Sequence, residues 1–481
     1  MMRMSIWVFA ARSAAQLGAL VLLVQAASLL GPAELGAFVL VSVLALLLNL
    51  IAEAGWSQYV IACEEEPLPA TIYWAAILAG ALALLVGAGG ALVLFQLYDR
   101  TDYGLILLIL SFFSLFSPLS AVQHGILVRT GRVHSHSQLV ILAELTGVSV
   151  AMIGLYGGLG IYALVLNKVV NQTIMAVGNA FLTRWFPRPE LEIVQLKKIL
   201  HFTRHILMSR VVGFLSVNSA ELLIGILLGV TEVGIYRTAS RITGAVTEIL
   251  FETTRILSWS SFKKAHCLKA GSRLGAEATA FLGDAFFVLL PIYAGLALLA
   301  GNLVASLLGP VWASAVGPII LLAMTRMLTI PAFINEALFG LGKQVHILPR
   351  MMGGYMVLSI GLLALLGHKG IGWAAFSQLL MAILFLPVIM AVQMRLGGVN
   401  WRQLLKDQLP KALLVTLVMS LSMWGSGVWA LQQFDHSGWA LIVQLATGGL
   451  VYLLMVALLR RDLLQVVLQQ LPLSARFSGA S

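Results

Sequence analysis

Residues 235–262 read IYRTASRITGAVTEILFETTRILSWSSF, which is long enough for a membrane-crossing helix and yet contains five charged side chains. They are Arg237, Arg241, Glu248, Glu252 and Arg255, and their spacing places them on one face of a helix. An arginine at the centre of a bilayer costs about 2.5 to 3.5 kcal/mol even on the mildest insertion scale. The stretch therefore predicts a helix whose charged face is turned toward other helices or a wet cavity.

The composition indicates a membrane protein. Of the 481 residues, 60% are hydrophobic and 10% are charged, whereas soluble domains carry about 25% charged residues. About 20 apolar residues cross a hydrocarbon core of about 30 Å. A window of that length predicts spans at 6–30, 35–52, 71–96, 103–127, 138–155, 159–183, 201–228, 235–262, 277–300, 315–340, 348–367, 371–394, 411–432 and 438–459. We therefore predict an all-α polytopic membrane protein of about fourteen transmembrane helices; the first apolar segment is too long for a signal peptide.

The basic residues set the orientation, because Lys and Arg concentrate in cytoplasmic loops. With both termini in the cytoplasm, nearly all of them fall at cytoplasmic loops and helix ends, and only Arg100 and Lys369 lie in loops on the other side. The formal charge of +10 is therefore an orientation signal, and no nucleic-acid partner is needed to explain it.

An internal repeat divides the chain. Leu30 to Phe38 (LGPAELGAF) matches Leu228 to Tyr236 (LGVTEVGIY), 198 residues later. Both turns follow an odd-numbered helix, which predicts two lobes in parallel orientation about a central site. We predict a lobe of helices 1 to 6 at 1–185, an interfacial linker at 186–200, a lobe of helices 7 to 12 at 201–395, and two further helices with a cytoplasmic tail at 396–481.

These motifs resemble those of a known family. The turn at 30–38, its repeat followed by Ala239-Ser240-Arg241-Ile242, and LGPVW at 308–312 are similar to the Wzx-type lipid-linked oligosaccharide flippases. Those flippases form the polysaccharide-transporter branch of the multidrug, oligosaccharidyl-lipid and polysaccharide exporter superfamily. One departure is Glu221, which stands where such sequences often have Asp.

The resemblance implies a function in the bacterial inner membrane. An undecaprenyl-pyrophosphate-linked oligosaccharide would move from the cytoplasmic to the periplasmic leaflet by alternating access, for O-antigen, capsule or exopolysaccharide synthesis. Membrane lipids and polysaccharide polymerase machinery would be its partners.

A pyrophosphate at membrane depth requires cations, and the planar fork of arginine binds its oxygens in bidentate fashion. Embedded cations predicted to bind substrate are Arg12, Lys168, Arg210, Arg237, Arg241, Arg255 and Arg326. Asn171 and Asn218 are predicted to donate hydrogen bonds to the sugar.

Four of these cations have an alternative role. Arg12 and Arg237 lie near helix ends, where a long side chain reaches the headgroups. Arg255 has Glu248 and Glu252 on its own face, and Arg326 and Glu336 are candidates for structural pairing. Glu144, Asp284 and Glu336 are candidates for carrying a coupling H+ or Na+, or for neutralising the buried arginines.

An enzyme would need motifs that this sequence lacks. The sequence contains no nucleotide-binding loop, metal motif or large outer domain, so we predict neither a cofactor nor a metal site, no catalytic residues, and a protein that is not an enzyme. A membrane-embedded polysaccharide polymerase is the enzyme alternative. The stronger alternatives are an ion-coupled multidrug exporter and a lipid II flippase of the same superfamily, since sequence alone separates substrates poorly.

Overall fold

The computed structural model describes residues 18–53, 55–63, 65, 68–97, 101–185, 190–267, 271–433 and 437–460, and helices are the only regular secondary structure in them. The helices of the amino-terminal half are α1 (Gly18–Leu29), α2 (Pro32–Glu53), α3 (Trp56–Ala62), α4 (Ala70–Leu97), α5 (Thr101–Phe113), α6 (Ser117–Arg129), α7 (Val133–Tyr156), α8 (Tyr162–Thr183), α9 (Ile193–Leu227) and α10 (Val230–Cys267).

The carboxy-terminal half is helical in the same way. It contains α11 (Gly271–Leu303), α12 (Val316–Thr329), α13 (Asn335–Leu341), α14 (Ile347–Leu366), α15 (Ile371–Gly397), α16 (Trp401–Gln403), α17 (Leu409–Gln433) and α18 (Ser437–Leu459). Short π or 3₁₀ turns occupy Val304–Leu308, Pro310–Ala315, Ile330–Ile334, Gly367–Lys369 and Leu404–Gln408.

The protein is a multi-pass membrane protein, as predicted. Within the described ranges, eleven helical segments are long and apolar enough to cross a bilayer. Of the other three predicted spans, the first is described only from Gly18, while α8 and α10 have the length and are too polar to qualify by hydropathy. These two helices carry five of the nine residues predicted to bind substrate: Lys168, Asn171, Arg237, Arg241 and Arg255.

Contacts divide the chain into two units, Met1–Thr238 and Ala239–Ser481. In the first unit, α9 packs against α2, α3 and α4. In the second, α17 and α18 pack against each other and against α11. The predicted lobe limits at 185, 200 and 395 differ from this division and remain a prediction.

The second half of the predicted linker at 186–200 is helical in the structure. Residues 193–200 are the first turns of α9, a helix of 35 residues that extends about 52 Å at 1.5 Å per residue. Ile199 is buried, and Leu196 packs beside it against the cluster around Trp56 and Val60. Lys197 and Lys198 face outward. Residues 186–189 lie outside the described part of the chain.

The two repeated turns pack against each other in the first unit. A Cβ atom on Gly36 would lie 1.7 Å from the carbonyl oxygen of Val230, and one on Gly234 would lie 2.1 Å from the carbonyl oxygen of Pro32. The first turns of α2 and α10 thus cross in reciprocal backbone contact, of the kind that small residues allow in membranes. The two copies of the repeated sequence therefore form the two surfaces of one helix–helix contact.

Candidate functional site

The polar stretch of α8 forms a cluster with α7. The side-chain amide of Asn171 donates to Oε2 of Glu144 at 3.0 Å, and Lys168 interacts electrostatically with the same carboxylate. Asn167 is buried, and its amide nitrogen has no hydrogen-bond partner. Three residues predicted separately, Lys168, Asn171 and Glu144, therefore lie together, with Glu144 opposite the cation.

Arg210 on α9 faces the carboxyl end of α2. Its Nη1 lies 3.6 Å from Oε2 of Glu53, and the hydroxyl of Ser117 donates to Oε1 of Glu53 at 2.5 Å. Sequence reasoning did not identify Glu53 as a partner. The pair partly neutralises one of the cations predicted to bind substrate.

Arg237 is held by a buried acid. Its Nη1 donates to Oε1 of Glu221 at 2.5 Å, and the Glu221 residue is only 3% exposed. The second carboxylate oxygen is buried without a hydrogen-bond partner. One turn earlier on α9, Asn218 donates its side-chain amide to the carbonyl of Phe214. The amide hydrogen bond of this predicted sugar ligand therefore goes to its own helix.

Arg255 is enclosed by two carboxylates. Its Nε and Nη2 donate to the two oxygens of Glu252 at 3.0 Å and 2.7 Å. Its Nη1 lies 3.6 Å from Oε1 of Glu336. Of the two acids considered on its own helix, Glu252 is the partner, while Glu248 is exposed. Arg255 and the ion-coupling candidate Glu336 are thus joined in one charge cluster.

The remaining candidates lie in different surroundings. Asp284 on α11 accepts a hydrogen bond from Nη2 of Arg460 at 2.6 Å, and that guanidinium also lies over the ring of Phe287. Arg241 is half-buried in α10. Arg12 lies outside the described residues. Asp284 therefore has a structural partner that the sequence did not indicate.

Arg326 on α12 differs from the other predicted arginines. It forms no ion pair with the described residues, and its Nε is buried without a hydrogen-bond partner. It interacts electrostatically with Tyr293 of α11 and Tyr355 of α14. Sequence reasoning did not single out either tyrosine. Only their positions in the fold bring them toward the cation.

The described side chains thus offer embedded cations, amides and tyrosine hydroxyls, which suit an anionic and hydroxyl-rich ligand. Among these residues there is no group of three or more His, Cys, Asp or Glu side chains placed to hold a metal ion.

Comparison with known proteins gives consistent results. A family profile described as "Polysaccharide biosynthesis protein" matches residues 26–317. The chain is 24% identical to the succinoglycan biosynthesis transport protein ExoT of Rhizobium meliloti (strain 1021), over 92% of this chain and 90% of that protein.

Two solved structures share the fold. The lipid II flippase MurJ in an inward closed conformation has a TM-score of 0.73 and 14% identity, covering 96% of this chain and 100% of that chain. An inward-facing multidrug resistance MATE transporter of the MOP superfamily has a TM-score of 0.61 and 15% identity, covering 82% and 96%. At these identities the similarity establishes the fold alone.

Proposed function

Because this chain belongs to the polysaccharide biosynthesis protein family and is a polysaccharide biosynthesis transporter of the MOP superfamily, we propose that it is a flippase for lipid-linked oligosaccharides. Its substrate is an undecaprenyl-pyrophosphate-linked repeat unit, moved from the cytoplasmic to the periplasmic leaflet of a bacterial inner membrane. The termini lie in the cytoplasm, and the cycle is one of alternating access.

One observation carries the proposal. Two helices of membrane-spanning length, α8 and α10, are too polar for a lipid-facing span, and they hold Lys168, Arg241 and Arg255. Lipid does not accommodate such charges, so they mark a polar pathway. Arginine forks and a lysine ammonium bind phosphate oxygens strongly, while the nearby amide of Asn171 suits a sugar hydroxyl. These groups match the chemistry of a substrate with a charged headgroup and a polar glycan.

The test is translocation by the purified full chain in proteoliposomes, with a fluorescent undecaprenyl-pyrophosphate-linked oligosaccharide as probe. Wild-type protein should move the probe between leaflets. Arg241→Ala and Lys168→Ala should each lower apparent affinity about ten-fold or more, because a charge-assisted contact of about 1.5 to 3 kcal/mol is lost. Arg241→Lys should restore transport only in part, since the fork is absent.

The matched control is Arg350→Ala, which removes an exposed arginine at the start of α14 and should leave transport unchanged. Wild-type vesicles that do not move the probe at all would contradict the flippase assignment. Normal transport by both Arg241→Ala and Lys168→Ala would instead remove these two residues from the substrate pathway.

We propose further that an ion gradient or the membrane potential drives transport, with H+ or Na+ as the coupling ion and Glu144, Asp284 and Glu336 as candidate carriers. The carboxylates of Glu144, Asp284 and Glu336 each lie opposite a cation, Lys168, Arg460 and Arg255 respectively. An acid in that position can exchange its partner for a proton or metal ion.

Collapsing both the ion gradients and the potential with ionophores should reduce translocation to the rate of empty vesicles. Restoring one gradient at a time identifies the ion. Undiminished translocation after complete collapse would show that transport is uncoupled.

A further inference from the structure

Ion pairing in the second unit distinguishes Arg326 from two other arginines. Arg255 faces Glu252 and Glu336, and Arg460 faces Asp284. Those charges are compensated within the protein. The Arg326 side chain makes no ion pair with the described residues, and its buried Nε has no hydrogen-bond partner among them.

The position of Arg326 in its membrane span makes the absence of an ion pair energetically unfavourable. The membrane span that contains α12 runs from Pro310 to Leu341, so Arg326 lies near its middle. The residue is half-buried and its Nε atom is fully buried without a partner. An uncompensated guanidinium at this depth is unfavourable unless a polar cavity or an anion satisfies it.

The groups around Arg326 suit an anion. Tyr293 is buried and donates its hydroxyl hydrogen to Oγ1 of Thr247 at 3.1 Å. The Tyr355 ring packs edge-to-face against Phe385, and its hydroxyl makes no hydrogen bond with the described residues. Both tyrosines interact electrostatically with Arg326. Tyr355 therefore offers an O–H donor within electrostatic range of a guanidinium whose Nε has no hydrogen-bond partner among the described residues.

We propose that Arg326 and Tyr355 form an anion-binding subsite inside the second unit, which takes an acidic group of the translocated lipid-linked saccharide. This inference rests on the proposed function and deepens it. The guanidinium supplies a bidentate fork and the phenol a third donor, a set that fits a phosphate or a carboxylate. The acidic group is either the pyrophosphate itself or a carboxylate on the sugar, and the two are separable by experiment.

Binding is measured with the purified full chain in nanodiscs, using two synthetic probes. One is undecaprenyl pyrophosphate bearing a neutral disaccharide, and the other bears a disaccharide with one uronic acid. If the subsite takes the pyrophosphate, Arg326→Ala should weaken both probes about ten-fold. If it takes the sugar carboxylate, only the uronic acid probe should weaken, again about ten-fold. For each probe that Arg326→Ala weakens, Tyr355→Phe should give a smaller loss of affinity. Arg326→Lys should keep part of the affinity that Arg326→Ala loses.

A stability measurement excludes a structural role. Since Arg326 forms no ion pair with the described residues, Arg326→Gln should melt at or above the wild-type temperature, whereas Arg255→Gln should melt lower because Glu252 and Glu336 lose their cation. Arg350→Ala is the binding control. Unchanged affinity of Arg326→Ala for both probes, or a lowered melting temperature of Arg326→Gln, would overturn the subsite. Failure of wild-type protein to bind either probe would instead contradict the proposed function.

Discussion

Gly36→Leu is expected to prevent the protein from accumulating in folded form, and Gly36→Ala to destabilise it strongly. Even a single methyl group on Gly36 would stand 1.7 Å from the carbonyl oxygen of Val230. The obstacle is backbone, so no side chain can rotate aside, and the first turns of α2 and α10 would have to separate. Overpacking typically costs about 1 to 3 kcal/mol, and contact with backbone lies at the high end of that range.

Gly234→Ala, on the α10 side of the same contact, should also destabilise the protein, because its Cβ would lie 2.1 Å from the carbonyl oxygen of Pro32. Thermal unfolding of the purified protein, together with the yield of monodisperse material, measures both effects. Gly31→Ala is the matched control: it lies in the same turn, and a Cβ there meets no atom within 4 Å. Equal melting temperatures for Gly36→Ala and Gly31→Ala would show that α2 and α10 do not make this contact.

Arg237→Ala is expected to cost about 3 to 5 kcal/mol of unfolding free energy, the typical penalty for breaking a buried ion pair. The substitution leaves the carboxylate of Glu221, which is 3% exposed, without the cation 2.5 Å away. Replacing both partners by apolar residues, Arg237→Met with Glu221→Leu, should recover most of the stability because no charge remains buried. Denaturant titration of the single and double variants completes a double-mutant cycle.

The same variants decide whether Arg237 also contacts substrate. Wild-type translocation by a stable Arg237→Met, Glu221→Leu double variant would restrict the pair to a structural role. Lost translocation with recovered stability would place Arg237 on the substrate pathway, as the sequence predicts. Arg395→Ala, which removes an exposed arginine near the end of α15, is the control and should change neither quantity. A stability loss for Arg237→Ala no greater than that of this control would contradict the buried pair.

The sequence by itself determined the membrane-spanning segments and the polar helices. Each predicted span overlaps a helix, because partition into lipid depends on the transfer free energy of each side chain in turn and needs no knowledge of neighbours. The charged face of residues 235–262 and the short-range pair of Arg255 with Glu252 were also accessible, since helical periodicity fixes which residues share a face.

Only the tertiary structure decided the partners across helices. Arg237 with Glu221 and Arg210 with Glu53 join residues on different helices, and Arg460, which follows α18, pairs with Asp284 of α11. The sequence placed Arg237 and Arg210 on the substrate. Tertiary packing likewise brings Leu196 and Ile199, in the first turns of α9, against the cluster around Trp56 and Val60 of α3.

The physical reason is that lipid-facing helix surfaces are chemically similar, so no hydrophobic contrast specifies which helices meet. Close approach at small residues such as Gly36 and Gly234 fixes their register. That register determines which embedded charges are compensated within the protein and which, like Arg326, form no ion pair with the described residues.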